Sequence, residues 1–210
     1  MAKKEAPISH LQQFLPPGTY EQVFNYLHLY NVHLTIARER KSILGDYRHR
    51  TYDRNHRISV NGNLNPYAFL ITLLHELAHL LQYEQYGNKV YAHGQEWKII
   101  FSKLLAQFIE HNIFPADVKH ALVRSLTNPA ATSCADDGLL RVLKTYDKNN
   151  DHLLLIEQVP ANALFKTNDG KVFQKGKKLR KRYQCVELSS KKLYLFSPVY
   201  EVEIVSEQKL

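Results

Sequence analysis

Cysteine is scarce in this chain, and its two cysteines, Cys134 and Cys185, stand far apart. They supply neither a disulfide framework nor a CxxC pair for zinc, and their scarcity fits a reducing compartment. Long apolar runs are also missing, because the most apolar stretch, residues 69–81, is interrupted by two histidines and a glutamate. The N-terminal segment has no apolar signal-peptide core. We therefore expect a soluble, cytoplasmic protein that does not enter the membrane.

The remaining composition is that of a folded, basic protein. The chain has 210 residues, 44% of them hydrophobic, enough for one sizeable domain or a domain with a small appendage. Its formal net charge is +8. Excess positive charge favours an anionic partner, nucleic acid being the commonest, but it also describes an ordinary basic soluble protein. From net charge alone we favour the second interpretation.

Residue periodicity predicts helices and strands in alternation over the first part of the chain. Thr19 and Gln22 have capping-box spacing for a helix that runs to about Tyr30. Alternating apolar and polar residues, with a turn before the second segment, predict three short strands, over 32–37, 42–49 and 56–61. Apolar periodicity, proline starts and a glycine stop predict four later helices, over 66–86, 95–110, 115–126 and 136–146.

From residue 152 onward, short alternating runs predict a small all-β appendage. The predicted strands cover residues 153–159, 163–167, 171–173, 183–188, 192–196 and 200–205. Asn168-Asp169-Gly170 is a hairpin turn signal between two of them. We therefore predict an α+β fold with three segments: a core over residues 1–130, a connecting helix and loop over 131–151, and a basic β-rich appendage over 152–210.

The long predicted helix carries the sequence His-Glu-Leu-Ala-His, an HExxH motif, at residues 75–79. His75 and His79 are one helical turn apart, so both rings can bind one metal ion. Glu76 stands beside the first histidine, where a carboxylate can take a proton from a water molecule polarised by the metal. Gln82 and Gln85 occupy the positions at which a metzincin has glycine and histidine, so that class is excluded.

A catalytic zinc site needs a third protein ligand and one open position. The candidates are His93, Glu84 and Glu96. Glu84 lies on the same predicted helix but around a different face, whereas Gly94 lets the chain that carries His93 turn back towards the helix. The preference of zinc for imidazole favours His93, and Glu96 on the next helix is the second choice.

These residues resemble the SprT-like family of zinc metallopeptidases. The resemblance rests on HELAHLLQ at 75–82, HGQEW at 93–97, and the upstream segments LGDYR at 44–48 and RISVN at 57–61, and it covers about residues 20–125. It implies a zincin-like core, with the active-site helix packed on a small β-sheet. It also implies one Zn²⁺ held by His75, His79 and His93, with Glu76 as the catalytic glutamate. Many relatives carry a cysteine-rich zinc ribbon after this core, but Cys134 and Cys185 cannot form one, so we expect a bacterial-type member without the ribbon.

The predicted activity is zinc-dependent hydrolysis of peptide bonds in a protein substrate. A second donor to the reacting carbonyl is often a tyrosine, histidine or arginine near the site. Tyr83, Tyr86 and Tyr91 are candidates by proximity only, although each is also typical of a packing residue. Two alternatives remain open. One is a nucleic-acid-binding protein with a structural or weakly active zinc site, and the other is a zinc hydrolase of a non-peptide bond.

The predicted appendage concentrates positive charge, since residues 166–192 contain ten of the 28 lysines and arginines. Cations for phosphate and interleaved aromatics for base stacking are typical of a sequence-indifferent nucleic-acid surface. The aromatics are Phe173, Tyr183, Tyr194 and Phe196. The predicted DNA contacts are Lys177, Lys178, Arg180, Lys181 and Arg182. A solvated hairpin with inward-facing aromatics explains the same run equally well, but relatives that act on proteins crosslinked to DNA favour the DNA interpretation.

Overall fold

The computed structural model describes residues 7–40, 43–126, 136–148 and 152–205. Contacts divide the chain into two compact units, Met1–Asp147 and Lys148–Leu210. Within the described ranges the protein forms five α-helices, two 3-10 helices and nine strands in two sheets, which confirms the α+β class. Cys134 lies outside these ranges, and the predicted division into three segments stays a prediction.

The first element in the described part of the N-terminal unit is a 3-10 helix, Ile8–Phe14, that the sequence did not predict. Its remaining elements confirm each predicted helix and strand to within a few residues: α1 (Tyr20–Leu29), β1 (His33–Ala37), β2 (Gly45–Arg48), β3 (Arg57–Asn61), α2 (Pro66–Tyr86), α3 (Gln95–Glu110), α4 (Ala116–Leu126) and α5 (Asp137–Lys144). The capping box at α1 was wrong, because the Thr19 hydroxyl donates to the Pro16 carbonyl (2.8 Å) and makes no cap bond.

Helix α2 is the centre of the N-terminal unit. The Asn65 side chain accepts from the Ala68 N–H (3.0 Å), and Pro66 occupies the first turn, where no N–H is needed. Gly87 ends the helix at φ +60°, and its N–H donates to the Tyr83 carbonyl (2.7 Å). Residues 68–78 are all buried, and α2 packs against α3, β2 and β3. His75 and Glu76 lie inside this buried stretch and His79 follows directly after it, half-buried, so packing holds the motif on several sides.

A three-stranded sheet packs against α2. Its strand order is β1-β3-β2, with β1 parallel and β2 antiparallel to the central β3, so β2 is an edge strand. Arg40 holds the segment that leads into β2, since its Nε donates to Asn61 Oδ1 (2.7 Å) and its Nη1 donates to Ser59 Oγ (2.9 Å). Asn61 Nδ2 in turn donates to the Ile43 carbonyl (3.0 Å). These bonds fix the position at which β2 passes over α2.

The C-terminal unit is a six-stranded antiparallel sheet. Its strands are β4 (Leu153–Leu155), β5 (Leu164–Lys166), β6 (Val172–Lys178), β7 (Tyr183–Glu187), β8 (Leu193–Phe196) and β9 (Glu201–Ile204), in the order β4-β9-β5-β6-β7-β8. The Asn168-Asp169-Gly170 hairpin is confirmed, with Gly170 at φ +85°. Two predicted strands were wrong in extent. Residues Ile156–Gln158 form a 3-10 helix, and β6 continues to Lys178.

None of the helices in the described part of the chain has the length and apolar character needed to cross a bilayer.

Candidate metal centre

Three imidazoles converge at the middle of α2. His75 and His79 project from the helix, and His93 approaches them from the loop before α3. The Nε2 atom of His93 lies 3.1 Å from that of His75 and 2.9 Å from that of His79. One ligand atom from each residue lies within 4.8 Å of the other two, so the group could hold a metal ion.

A tight turn delivers His93 to the helix. The Gly94 N–H donates to the Tyr91 carbonyl (3.0 Å), closing a turn in which His93 has φ +61°. A left-handed conformation is uncommon for a residue with a side chain, and strain of this kind concentrates at functional sites. The turn therefore holds His93 in a backbone conformation that few residues with a side chain adopt.

Trp97 forms the buried wall behind the three histidines. It lies one turn into α3 and is fully buried, with its ring centroid 4.6 Å from that of His75, 5.3 Å from that of His79 and 4.8 Å from that of His93. Phe101, one turn further, stacks on Trp97 at 4.9 Å. This aromatic wall excludes water from one side of the histidine group.

Burial keeps the histidines uncharged. It lowers the pKa of His75 to about 3 and that of His79 to about 4, and the neighbouring imidazoles add to both shifts. Burial also lowers the pKa of His93. All three rings are therefore neutral at pH 7, the state in which an imidazole nitrogen can bind a metal ion.

Glu76 is buried beside this group under the backbone of β2. A Cβ atom added to Gly45 would lie only 2.5 Å from Glu76 Oε1, so the strand can pass this close only because residue 45 is glycine. Burial raises the pKa of Glu76 to about 8, Asp46 raises it further, and Arg40 opposes the shift. In the metal-free protein at pH 7 the carboxyl group is therefore mostly protonated and uncharged. A nearby cation would favour its ionised form.

The donor set fits zinc. Zinc is bound in proteins by imidazole nitrogen at about 2.0–2.1 Å, which places the nitrogens of a tetrahedral site about 3.3 Å apart. The two measured Nε2–Nε2 distances, 3.1 and 2.9 Å, are close to this separation. A cation shared by the three imidazoles would replace these nitrogen–nitrogen contacts with bonds to one ion. Three protein ligands also leave a fourth position for water or substrate.

The site opens into a cleft of about 670 Å³ that is lined by β2, α2 and the loop of residues 87–93. The Asn61 N–H donates to the Leu44 carbonyl (2.9 Å), and hydrogen-bonded pairs alternate along an antiparallel ladder. Asp46 therefore pairs with β3, while Gly45 and Tyr47 direct their main-chain groups away from β3 towards the open edge. Both of these residues line the cleft.

The two glutamates considered as the third ligand are not members of the histidine group, and one of the three candidate tyrosines lines the cleft. Glu84 interacts with Arg50 Nη2 (3.2 Å) and His56 Nε2 (3.3 Å). Glu96 lies on the first turn of α3 and is not a member of the histidine group among the described residues. Of the three tyrosines, Tyr83 lines the cleft, whereas Tyr86 and Tyr91 are not among its lining residues.

Sequence reasoning missed Tyr47 as a wall of the cleft. Its ring lies parallel to that of His79, with centroids 6.4 Å apart, and its hydroxyl is hydrogen-bonded to His56 Nδ1 (2.9 Å). The available signal was the strand alternation of Gly45, Tyr47 and His49. These residues lie on one face of β2 and of the residue that follows it. Along α2, Gly45 lies against Glu76, Tyr47 against His79 and His49 against Tyr83.

The predicted DNA contacts lie together in the C-terminal unit, at the tip of the β6–β7 hairpin. Two main-chain bonds between Leu179 and Arg182 close the turn, and the five predicted cations are exposed. The aromatic part of the prediction was wrong for Phe173, which is buried against Phe165 and Phe196. Tyr183 lies under Lys175, with the ammonium nitrogen 4.4 Å from its ring centroid. The hairpin thus presents charge, but its interleaved aromatics serve mainly the interior of the sheet.

Comparison with known proteins gives the class of the N-terminal unit. Residues 18–120 match the SprT-like family, so this part of the chain is a SprT-like domain and the resemblance seen in the sequence is confirmed. No curated protein and no solved structure matches the chain significantly.

Proposed function

We propose that the protein is a zinc metallopeptidase with a zincin-like core. One observation carries the proposal: three neutral imidazoles converge on one point, with a buried carboxyl group on the adjacent residue of the same helix. The SprT-like match over residues 18–120 supports it. His75, His79 and His93 would hold one zinc ion, and Glu76 would be the general base.

A zinc ion bound there would polarise a water molecule, lower its pKa to about 7 and polarise the carbonyl group of the substrate. Glu76 would be ionised beside the cation and would accept a proton from the attacking water. The same carboxyl group would then donate that proton to the leaving amine. The close passage of Gly45 over Glu76 fixes the position of the carboxyl group for both transfers.

The open edge of β2 supports a peptide as substrate over a non-peptide ester or amide. Gly45 and Tyr47 direct main-chain donors and acceptors along the cleft, beside the histidine group. An extended peptide can add to such an edge as a further strand and use main-chain bonds that do not depend on its sequence. This would place a substrate carbonyl near the metal centre.

Cleavage of fluorescein-labelled casein tests the proposal. Glu76→Gln keeps the side-chain shape and removes the base, so it should retain zinc and lose activity by about two to four orders of magnitude. Glu110→Gln, at the exposed end of α3, is the matched control and should behave as wild type. Full activity in Glu76→Gln would exclude this mechanism. Bound zinc without cleavage of protein, with or without DNA, would favour the nucleic-acid-binding or non-peptide alternatives.

A second function, DNA binding, is favoured by the exposed cations of the β6–β7 hairpin. Five lysines and arginines lie within residues 177–182, and a hairpin tip can reach a phosphate backbone. Because Phe173 is buried, we propose that binding is mainly electrostatic rather than by base stacking. Binding of this kind would bring the peptidase to DNA-bound protein substrates.

A further inference from the structure

Gln82 is a buried polar residue on the same helix as the metal centre, and the proposed reaction assigns it no role. It follows His79 by three residues, so the two side chains lie on one side of α2. Its side chain is 6% exposed, and Nε2 donates to the main-chain carbonyl of Tyr91 at 3.0 Å. A buried amide that reaches a loop carbonyl fixes the distance between helix and loop.

Gln82 lines the cleft together with His79 and His93, so its side chain lies at the metal centre as well as against the loop that carries His93.

The Tyr91 carbonyl belongs to the turn that delivers His93. It accepts from the Gly94 N–H (3.0 Å) as well as from Gln82 (3.0 Å). His93, between the two ends of this turn, has φ +61°. A strained backbone conformation persists only where the surrounding structure holds it. The Gln82 hydrogen bond joins α2 to this turn and can hold His93 in its conformation.

We propose that Gln82 is a positioning residue for the metal centre, because its amide group donates to the Tyr91 carbonyl and so holds the turn that places His93 against His75 and His79. The inference rests on the proposed function, because it assumes that the histidines bind metal. It adds an outer partner that fixes the position of His93 relative to the other two ligands. Loss of such outer partners typically lowers metal affinity by about 10–100-fold.

Zinc affinity, measured by competition with a fluorescent chelator, tests this role in three full-length variants. Gln82→Met has similar volume and cannot donate to Tyr91. Gln82→Glu keeps the shape of the side chain, but its carboxylate cannot donate to Tyr91 either. Gln85→Met makes the same change at an exposed position of the same helix and is the control. The melting temperature of each metal-free variant separates a structural effect from a positioning effect.

We expect Gln82→Met and Gln82→Glu both to weaken zinc binding by about 10–100-fold, and Gln85→Met to match wild type. The visible spectrum of the Co²⁺-loaded protein should change in Gln82→Met. Wild-type zinc affinity in a folded Gln82→Met would overturn the inference, and if that variant does not fold, wild-type affinity in Gln82→Glu would do so. A wild-type protein that binds no zinc would instead overturn the proposed function, and this role with it.

Discussion

Gly45→Ala should disable the proposed peptidase without removing its metal ligands. The new methyl carbon would lie 2.5 Å from Glu76 Oε1 and 2.8 Å from Thr72 Cγ2. Restoring an ordinary contact of 3.4 Å requires the carboxyl group or β2 to move by about 0.9 Å. Thr72 is fully buried and Glu76 is 5% exposed, so the carboxyl group can move away from the new methyl group only along the cleft that it lines.

A misplacement of about 1 Å at a reacting group can cost about 100-fold in rate. Overpacking of a core typically costs about 1–3 kcal/mol, which lowers the melting temperature of a protein of this size by about 2–10 °C. The assay is casein cleavage by the zinc-loaded variant at a temperature where circular dichroism shows it folded. We expect about 100-fold lower kcat, with zinc still bound.

Gly62→Ala is the matched control for overpacking. Its Cβ would lie 2.7 Å from Ile36 Cγ2, so it strains the same unit but does not meet Glu76. It should lower the melting temperature and leave the kcat of the folded protein near wild type. Wild-type kcat in Gly45→Ala, or an equal loss in both variants, would refute the argument that β2 positions the carboxyl group.

Two further predictions concern charge. Burial raises the pKa of Glu76 from 4.5 to about 8, so the folded metal-free protein binds this proton more tightly than the unfolded chain. The resulting stabilisation is complete below pH 4.5 and is lost as the pH rises through 8. Because glutamine does not titrate, the melting temperature of metal-free Glu76→Gln should rise relative to that of wild type between about pH 5 and pH 8.5. A constant difference across that range would contradict the shift. In the C-terminal unit, replacing Lys177, Lys178, Arg180, Lys181 and Arg182 with Gln should flatten the salt dependence of DNA binding and leave DNA-free casein cleavage unchanged. An unchanged salt slope would show that the hairpin is only a solvated surface.

Local signals allowed the sequence to predict the helix that carries the site. Asn65 and Pro66 start α2 and Gly87 ends it, and each acts through its own backbone or its nearest neighbours. The HExxH spacing needs only one turn of that helix. The sequence predicted His93 as the third ligand from the Gly94 turn signal and the zinc preference for imidazole. The structure places His93 beside His75 and His79 on the helix.

The features that the sequence did not predict depend on contacts between distant segments. Tyr47 became a wall of the cleft only through the packing of β2 on α2. In the C-terminal unit, the predicted strand at 171–173 is shorter than β6 because a charged residue, Lys175, occupies an inward position of the strand. Its ammonium group is accommodated there by donating to the main-chain carbonyls of Glu157 and Val159. Strand β4 ends at Leu155 rather than continuing to residue 159, because the Gln158 side chain accepts from the Leu155 N–H (2.9 Å). Periodicity cannot reveal partners of this kind.

Metal analysis of three purified proteins tests the central claim most directly. Wild type and Glu96→Ala should each hold one zinc per chain, and His93→Ala should retain far less, because it loses one of three imidazole ligands. The measurement is zinc per chain by mass spectrometry after dialysis against a weak chelator. Full zinc in His93→Ala together with zinc loss in Glu96→Ala would contradict the ligand set on which the proposed function depends.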